Sequence, residues 1–223
     1  MKRTLGLTLL LFATLFSCMR QEKPLPAELS RAESVMWEHP DSALSILRSM
    51  PQSSLSIGKN YATWALLLAQ ARDKVYGKRL PDSLNIPSSD KLVQDAMDYF
   101  EKEGDLKRMA QTYYYKGQLL KDQKKITEAM PFFLKSKEMM TKLDEPLFTY
   151  LICQSLGNMY RYQDLYEESL VQLKDAYQYA LRSGNGERIS YALSELGRTY
   201  VHKNEMDSAL FYFGKSLDNA QVR

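Results

Sequence analysis

The side chains that most often do chemistry are scarce in this sequence. The 223 residues include only two histidines and two cysteines. A metal site or a nucleophilic centre would need such side chains beside carboxylates at ligand or catalytic spacing. His39 and His202 have no neighbours of that kind, so we interpret both as surface residues. The sequence therefore predicts no catalytic set, no metal site and no cofactor, and it favours a protein that is not an enzyme.

The other reactive groups have ordinary structural interpretations. Cys153 stands at an apolar position of a predicted helix, where a thiol packs as a small hydrophobic group. Adjacent carboxylates such as Glu167 and Glu168 stand at a predicted helix end, where solvated charge is common. The chain has 30 basic and 27 acidic residues, a net charge of +3. That balance argues against a nucleic-acid interface, which needs a concentrated basic face.

The second cysteine, Cys18, marks a boundary between two kinds of sequence. Two positive residues precede an apolar run over residues 5–16, which is shorter than the roughly 20 residues that span a bilayer. This arrangement predicts a signal peptide over residues 1–17. Residues 18–26 then turn polar, contain two prolines and are predicted to form a tether.

The segment Leu15, Phe16, Ser17 and Cys18 resembles the lipobox of bacterial lipoproteins, although Phe16 is bulkier than the usual residue. The resemblance implies a diacylglyceryl group on the Cys18 thiol and acylation of the amino terminus left by cleavage. It predicts a cell-envelope protein that is lipid-anchored to a bacterial membrane and faces the periplasm. The alternative is an ordinary signal peptide that happens to end near a cysteine.

Three glycines reveal an internal repeat in the second half of the chain. Gly117, Gly157 and Gly197 are separated by 40 residues, and each interrupts a predicted helix. Glycine in a helix interior costs about 1 kcal/mol, so a packing reason is expected. A small residue follows twelve positions later and a large apolar residue sixteen positions later. These residues are Ala129, Ser169 and Ala209, and Phe133, Leu173 and Phe213. The pattern predicts two helices per unit that approach closely at the glycine.

This pattern resembles the tetratricopeptide repeat (TPR), although each unit is six residues longer than the usual 34. The closing proline of that repeat is also replaced here. The resemblance implies an all-α fold, a right-handed superhelix of antiparallel helix pairs, which is a TPR-like α-solenoid. It assigns three units to residues 105–223. Residues 27–104 are interpreted as divergent helix pairs with an inserted loop over residues 77–90.

The resemblance also implies where a ligand would bind. In this family the first helix of each pair lines a concave groove, and positions around the glycine point into it. The candidate groove residues are Tyr114, Gln118, Lys121, Gln154, Asn158, Arg161, Ser194 and Arg198. Their amides suit an extended peptide backbone and their cations suit a carboxylate. Of the tyrosine run 113–115, only Tyr114 is expected to enter the groove.

These observations favour a membrane-anchored, non-enzymatic scaffold that binds a protein or peptide. A glycan-binding envelope lipoprotein and the sensory amino-terminal part of a longer signalling regulator remain as alternatives. The last predicted helix carries Leu210, Phe211 and Leu217, which are too widely distributed to face one neighbour. A homo-oligomer through this C-terminal helix is therefore a further hypothesis.

We expect cells that produce the chain to incorporate labelled palmitate at Cys18. The Cys18→Ala variant should incorporate none and should leave the membrane fraction or retain its signal peptide, because the acceptor thiol is gone. Equal labelling of both proteins would show that Cys18 is not the lipidation site.

Overall fold

The computed structural model describes residues 24–51, 55, 58–77 and 89–221. Within these ranges the ordered elements are α-helices, and no described residue belongs to a strand. The helices are α1 (Ala27–Val35), α2 (Pro40–Ser49), α3 (Lys59–Tyr76), α4 (Ser89–Glu103), α5 (Leu106–Asp122), α6 (Ile126–Lys142), α7 (Pro146–Tyr162), α8 (Tyr166–Ser183), α9 (Gly186–His202) and α10 (Met206–Gln221). The predicted signal peptide, Cys18 and most of the predicted inserted loop lie outside the described residues.

Consecutive helices pack in pairs, α1 with α2 through α9 with α10, and each pair stacks on the next. Helices α1 and α3, α3 and α5, and α7 and α9 also contact one another directly. By contrast, α6 and α8 are bridged by the long side chain of Lys137, which pairs with Asp175 at 2.8 Å. The odd-numbered helices therefore form the shorter, inner arc of a curved stack. The predicted all-α array of helix pairs is confirmed.

The regular part of the array has a period of 20 residues. Six of its turns contain a residue with positive φ, at intervals of 20 residues, for example 144 − 124 = 20. These residues are Gly104, Lys124, Asp144, Asp164, Gly184 and Asn204. Glycine, asparagine and aspartate tolerate this left-handed conformation best, which explains five of the six. Because α4 to α9 each end just before such a residue, α5 to α9 have nearly equal lengths, and this accounts for the unusually long repeat.

Helix α3 is the most enclosed element of the array. Its residues from Ala62 to Arg72 are all buried. The indole nitrogen of Trp64 donates a hydrogen bond of 2.8 Å to the carbonyl oxygen of Leu47, which joins α3 to the preceding pair. None of the described helices, α3 included, is both long enough and apolar enough to cross a bilayer.

Gly157 lets α7 and α8 approach until Leu173 lies against the glycine itself. A Cβ atom built on Gly157 would lie 2.6 Å from Cγ of Leu173 and 3.4 Å from the carbonyl oxygen of Ser169. The close helix crossing expected from the repeat is therefore present. The large residue sixteen positions on fills the space over the glycine.

The same arrangement recurs in the neighbouring units, where the distance between a built glycine Cβ atom and the large side chain differs. A Cβ on Gly117 would lie 3.0 Å from the ring of Phe133, and one on Gly197 would lie 2.7 Å from the ring of Phe213. Leu173 and Phe133 are fully buried, whereas Phe213 is only half-buried near the end of the array. The middle contact therefore has the least freedom to adjust.

We expect Gly157→Ala to lower the free energy of unfolding, because the new methyl group must displace buried Leu173. Overpacking costs about 1–3 kcal/mol, which outweighs the gain of about 1 kcal/mol in helix propensity. Gly117→Ala should cost less, since its methyl group would meet only the outer edge of the Phe133 ring. Chemical denaturation measures both changes.

A double-mutant cycle tests the cause of this destabilisation. Leu173→Ala should cost less in the Gly157→Ala protein than in the wild type, because the smaller side chain makes room for the methyl group. Equal costs in the two backgrounds would mean that Gly157 and Leu173 do not compete for the same space.

Candidate functional site

The candidate site is the inner face, which we define as the surface of α5, α7 and α9 that faces the inside of the curved stack. All eight predicted groove residues belong to these three helices. The structure divides them into a hydrogen-bonded group at α5, a charge cluster between α7 and α9, and residues held by other helices. Only some of the eight residues therefore expose a polar group to the solvent on the inner face.

Tyr114 is part of the interior and does not present its ring to an open groove, contrary to the expectation from the sequence. The ring packs edge-to-face against Phe133 and Phe148, with centroids 5.8 and 6.0 Å away. Gln118 donates a hydrogen bond of 2.7 Å to the Tyr114 hydroxyl, and the Lys121 amine bonds to the side-chain oxygen of Gln118. Burial raises the pKa of Tyr114 well above its ordinary value, so the phenol stays neutral.

The other tyrosines of the run also serve packing. Tyr113 and Tyr115 are both buried, as the core position of Tyr113 predicts. The Tyr113 hydroxyl donates a hydrogen bond of 2.7 Å to Glu101 of α4. Burial, followed by this bond to a carboxylate, raises the pKa of Tyr113 to about 12. The aromatic run therefore stabilises the junction of α4, α5 and α6 and does not form a stacking platform.

A charge cluster of Arg161, Glu195 and Arg198 joins α7 to α9. Glu195 is almost completely buried, with 1% of its side chain exposed. Its carboxylate lies 2.8 Å from a guanidinium nitrogen of Arg161 and 2.5 Å from one of Arg198. Arg161 is also buried, whereas 57% of the Arg198 side chain is exposed. The cluster therefore has a net positive charge, and it presents one guanidinium group to solvent in a fixed position.

Sequence reasoning selected both arginines of this cluster but missed Glu195. The Glu195–Arg198 spacing of three residues is visible in the sequence and is compatible with a pair on one helix face. The partner Arg161 is 34 residues away in the preceding unit. Only the stacking of α9 on α7 brings these side chains together.

Three further candidate residues differ in their environments. Ser194 faces the partner helix α10, because its hydroxyl lies 2.9 Å from that of Ser216. It is therefore not a free group of the inner face, contrary to expectation. Gln154 bonds to the hydroxyl of buried Tyr150. The side-chain oxygen of Asn158 is buried without a hydrogen-bond partner among the described residues, so one acceptor next to the charge cluster is unsatisfied.

Trp37, in the turn between α1 and α2, contacts the first turn of α7 on the inner side of the stack. The ring centroid of Trp37 lies 5.6 Å from that of Phe148 at the start of α7. The Lys74 amine lies 3.3 Å from the centre of the Trp37 ring, which is the geometry of a cation–π contact. Burial lowers the pKa of Lys74 to about 8, with the charge of Asp73 acting against this shift and that of Arg188 adding to it. The sequence contained no signal for this contact.

Among the reactive groups, the Cys153 thiol lies beside the Lys137 amine, which also pairs with Asp175 at 2.8 Å. Among the described residues, no three histidine, cysteine, aspartate or glutamate side chains come together as a metal site. Cys153 is buried, and burial raises the pKa of its thiol to about 11, so it stays protonated at neutral pH. His39 and His202 are exposed and lie at helix ends.

A cavity of about 360 Å³ lies between α3, α4 and α5. Asp73, Tyr115 and Gln118 contribute to its lining. Gly77, which follows α3, and Ser89, the first residue of α4, also line it. We assign no ligand to it.

Comparison with known proteins identifies the fold and not the family. No protein-family model matches the sequence, and no curated protein matches it either. The apo form of RapI has 16% identity and a TM-score of 0.67, covering 87% of this chain and 69% of that chain. A Rap protein complexed with Competence and Sporulation Factor has 14% identity and a TM-score of 0.69, covering 94% of this chain and 58% of that chain.

A third similar structure contains nearly identical TPR-like repeats, in a chain from Podosopora anserina described as kinesin light chain. It has 11% identity and a TM-score of 0.58, and the match covers 87% of this chain and 93% of that chain. The match with the Rap complex spans less than two thirds of that longer protein. At these identities the similarity establishes a TPR-like α-solenoid, in agreement with the fold predicted from the glycine repeat.

The two arginines of the charge cluster should contribute unequally to the free energy of unfolding, because one is buried and the other is exposed. Arg161→Met should destabilise the protein by on the order of 3 kcal/mol, because Glu195 would stay buried with one of its two cationic partners removed. Arg198→Ala removes an exposed partner and should cost about 1 kcal/mol or less. Thermal and chemical unfolding measure this difference. Equal costs would mean that burial of Arg161 is unimportant to the cluster.

Proposed function

We propose that the chain is a membrane-anchored, non-enzymatic scaffold that binds a protein or peptide on its inner face. The charge cluster is the observation that carries this proposal. Glu195 holds the guanidinium of Arg198 in one position while 57% of that side chain stays exposed. A cation that is already oriented loses less conformational freedom on binding than a mobile surface arginine does.

The groups around Arg198 favour a ligand with a carboxylate and an extended backbone. The exposed guanidinium is a donor of charge-assisted hydrogen bonds to a carboxylate. On the neighbouring inner helix, Asn158 is half-buried, and its side-chain amide is of the type that bonds to a peptide backbone. Lys121 adds positive charge on the same face. It lies on α5, and α7 separates it from Arg198 on α9. Acidic peptide segments combine both chemical features.

The comparisons support a binding role without identifying the ligand. A Rap protein with the same fold forms a complex with Competence and Sporulation Factor. The described part of the present chain has the same kind of curved helix array and a polar inner face. In our proposal this array binds a segment of another protein in the cell envelope.

The lipobox resemblance supports anchoring at Cys18. Eight residues lie between Cys18 and Ala27, the first residue of α1, so nine residue-to-residue steps join them. An extended chain spans at most about 3.5 Å per residue, so this tether allows a separation of at most roughly 30 Å. In our proposal the array therefore stays close to the membrane surface and binds its ligand in the periplasm.

Site-specific photo-crosslinking in cells tests this function with the full chain. A photoreactive residue at position 118 of the inner face should form discrete adducts with an envelope protein. The same residue at position 134 should not, because Leu134 is exposed on the outer layer of the array. Mass spectrometry of the adducts identifies what is bound.

Substitutions at two arginines serve as the matched control. Arg198→Ala should reduce the yield of the position-118 adduct, because the exposed cation of the cluster is removed. Arg182→Ala should leave it unchanged, since Arg182 pairs with Asp144 on a different surface. Adducts that are insensitive to both changes, or that form equally from position 134, would argue against inner-face binding.

A further inference from the structure

The third residue of each inner helix in the regular array occupies an equivalent position, at intervals of 40 residues. This residue is Arg108 on α5, Phe148 on α7 and Arg188 on α9. Because these helices have the same length, equivalent residues lie at the same level of successive units. Phe148 is covered by Trp37, whose ring packs against it edge-to-face. The two arginines at this level differ in what they contact.

Arg108 shows what an arginine at this position binds. Two of its guanidinium nitrogens donate hydrogen bonds of 3.3 and 3.2 Å to the two carboxylate oxygens of Glu33 on α1. A carboxylate oxygen of Asp105, the residue that caps α5, lies 3.7 Å from the third nitrogen. A two-pronged contact of this kind is a strong and directional way to hold a carboxylate. The array therefore contains its own example of a carboxylate bound at this level.

Arg188 has the same backbone setting without the carboxylates. Asn185 caps α9 as Asp105 caps α5, accepting a hydrogen bond of 3.0 Å from the backbone N–H of Arg188, but its amide carries no charge. Among the described residues, no carboxylate pairs with the Arg188 guanidinium, although this side chain is half-buried. The position that holds Glu33 in the first unit is thus open to a carboxylate in the last one.

A second cation makes this arrangement electrostatically unfavourable. The Lys74 amine lies over the Trp37 ring, which itself packs on Phe148, so Lys74 reaches the same level of the inner face. Burial lowers the pKa of Lys74 to about 8; the charge of Asp73 opposes this shift and that of Arg188 adds to it. A cation in the first turn of a helix also meets the positive end of the helix dipole. An anion bound between α3 and α9 would relieve these repulsions.

Helix α9 presents this cation on the same side as the charge cluster. Arg188, Tyr191, Glu195 and Arg198 follow one another at intervals of three, four and three, so they lie along one side of the helix. The two arginines are 198 − 188 = 10 residues apart, which is about 15 Å along a helix. The Tyr191 ring lies between them with 46% of the residue exposed, and its hydroxyl bonds to Glu195.

We propose that Arg188, with Lys74 beside it, is a second carboxylate site, so that the inner face selects a peptide with two acidic side chains four residues apart. An extended peptide advances about 3.4 Å per residue, and four residues therefore cover nearly all of the roughly 15 Å between the two arginines. An even separation also sets both side chains on the same side of the peptide. This inference rests on the function proposed above, because it adds a second contact to the same ligand.

Thermal unfolding of the full chain in a nonionic detergent tests whether the Arg188 site is open. Arg108→Gln should lower the melting temperature, because Glu33 would lose its guanidinium partner. Arg188→Gln should leave the melting temperature unchanged or raise it, since it removes a cation near Lys74 and from the start of a helix. A decrease for Arg188→Gln as large as that for Arg108→Gln would mean that the chain itself supplies the carboxylate, and it would overturn the proposal.

Fluorescence anisotropy with the same protein tests ligand selection. The probes are labelled, end-blocked serine–glycine peptides that carry two glutamates four residues apart, or one glutamate with glutamine at the second position. The wild type should bind the two-glutamate peptide about tenfold more tightly, which is the effect of one additional charge-assisted contact. Arg188→Gln should bind the two peptides equally, because the second carboxylate loses its donor.

Arg182→Gln is the matched control for the binding measurement. It removes the same charge from a different surface, where Arg182 pairs with Asp144, and should keep the tenfold preference. A preference that persists in Arg188→Gln would overturn the second site, and so would equal binding of the two peptides by the wild type. Neither result removes the first site at Arg198, which crosslinking from position 118 tests separately.

Discussion

The contact between a glycine and a large apolar side chain sets the separation of the helices in each regular pair. Gly157 accepts Leu173 at a distance that leaves no room for a methyl group. This short separation determines how the odd-numbered helices can stack along the inner arc. The placement of Arg161 against Glu195 follows from it, because their side chains meet only if α9 lies directly on α7. The geometry of the charge cluster on the candidate site thus depends on a packing contact in the interior.

The 20-residue period has a second consequence for this surface. Equal helix lengths keep corresponding positions at the same height in successive units, so a residue on α7 finds the same region of α9 opposite it. Burying Glu195 there has a desolvation cost, and a buried ion pair of this kind contributes little net stability. What the pair provides is orientation, because it determines the position of the one guanidinium group that remains exposed. The inner face therefore gains a defined cationic site at some expense of stability.

The first and last described helices differ in what they expose. Helix α1 exposes polar side chains, and Trp37, which follows it, packs against the buried Phe148 of α7. Helix α10 instead exposes Leu210 and Leu217. The described array is therefore more polar on its first helix than on its last.

The sequence by itself determined the helix pairs, because the glycines and the residues sixteen positions later act through spacing along one chain. Through the resemblance to the tetratricopeptide repeat, it also indicated the three inner helices and selected Arg161 and Arg198 as candidate groove cations. The tertiary structure decided which side chains are free. Tyr114 and Ser194 are held by neighbouring helices, and Glu195 joins residues that are 34 positions apart. Helical periodicity defines the faces of one helix, whereas the curvature of the stack decides which of those faces another helix covers.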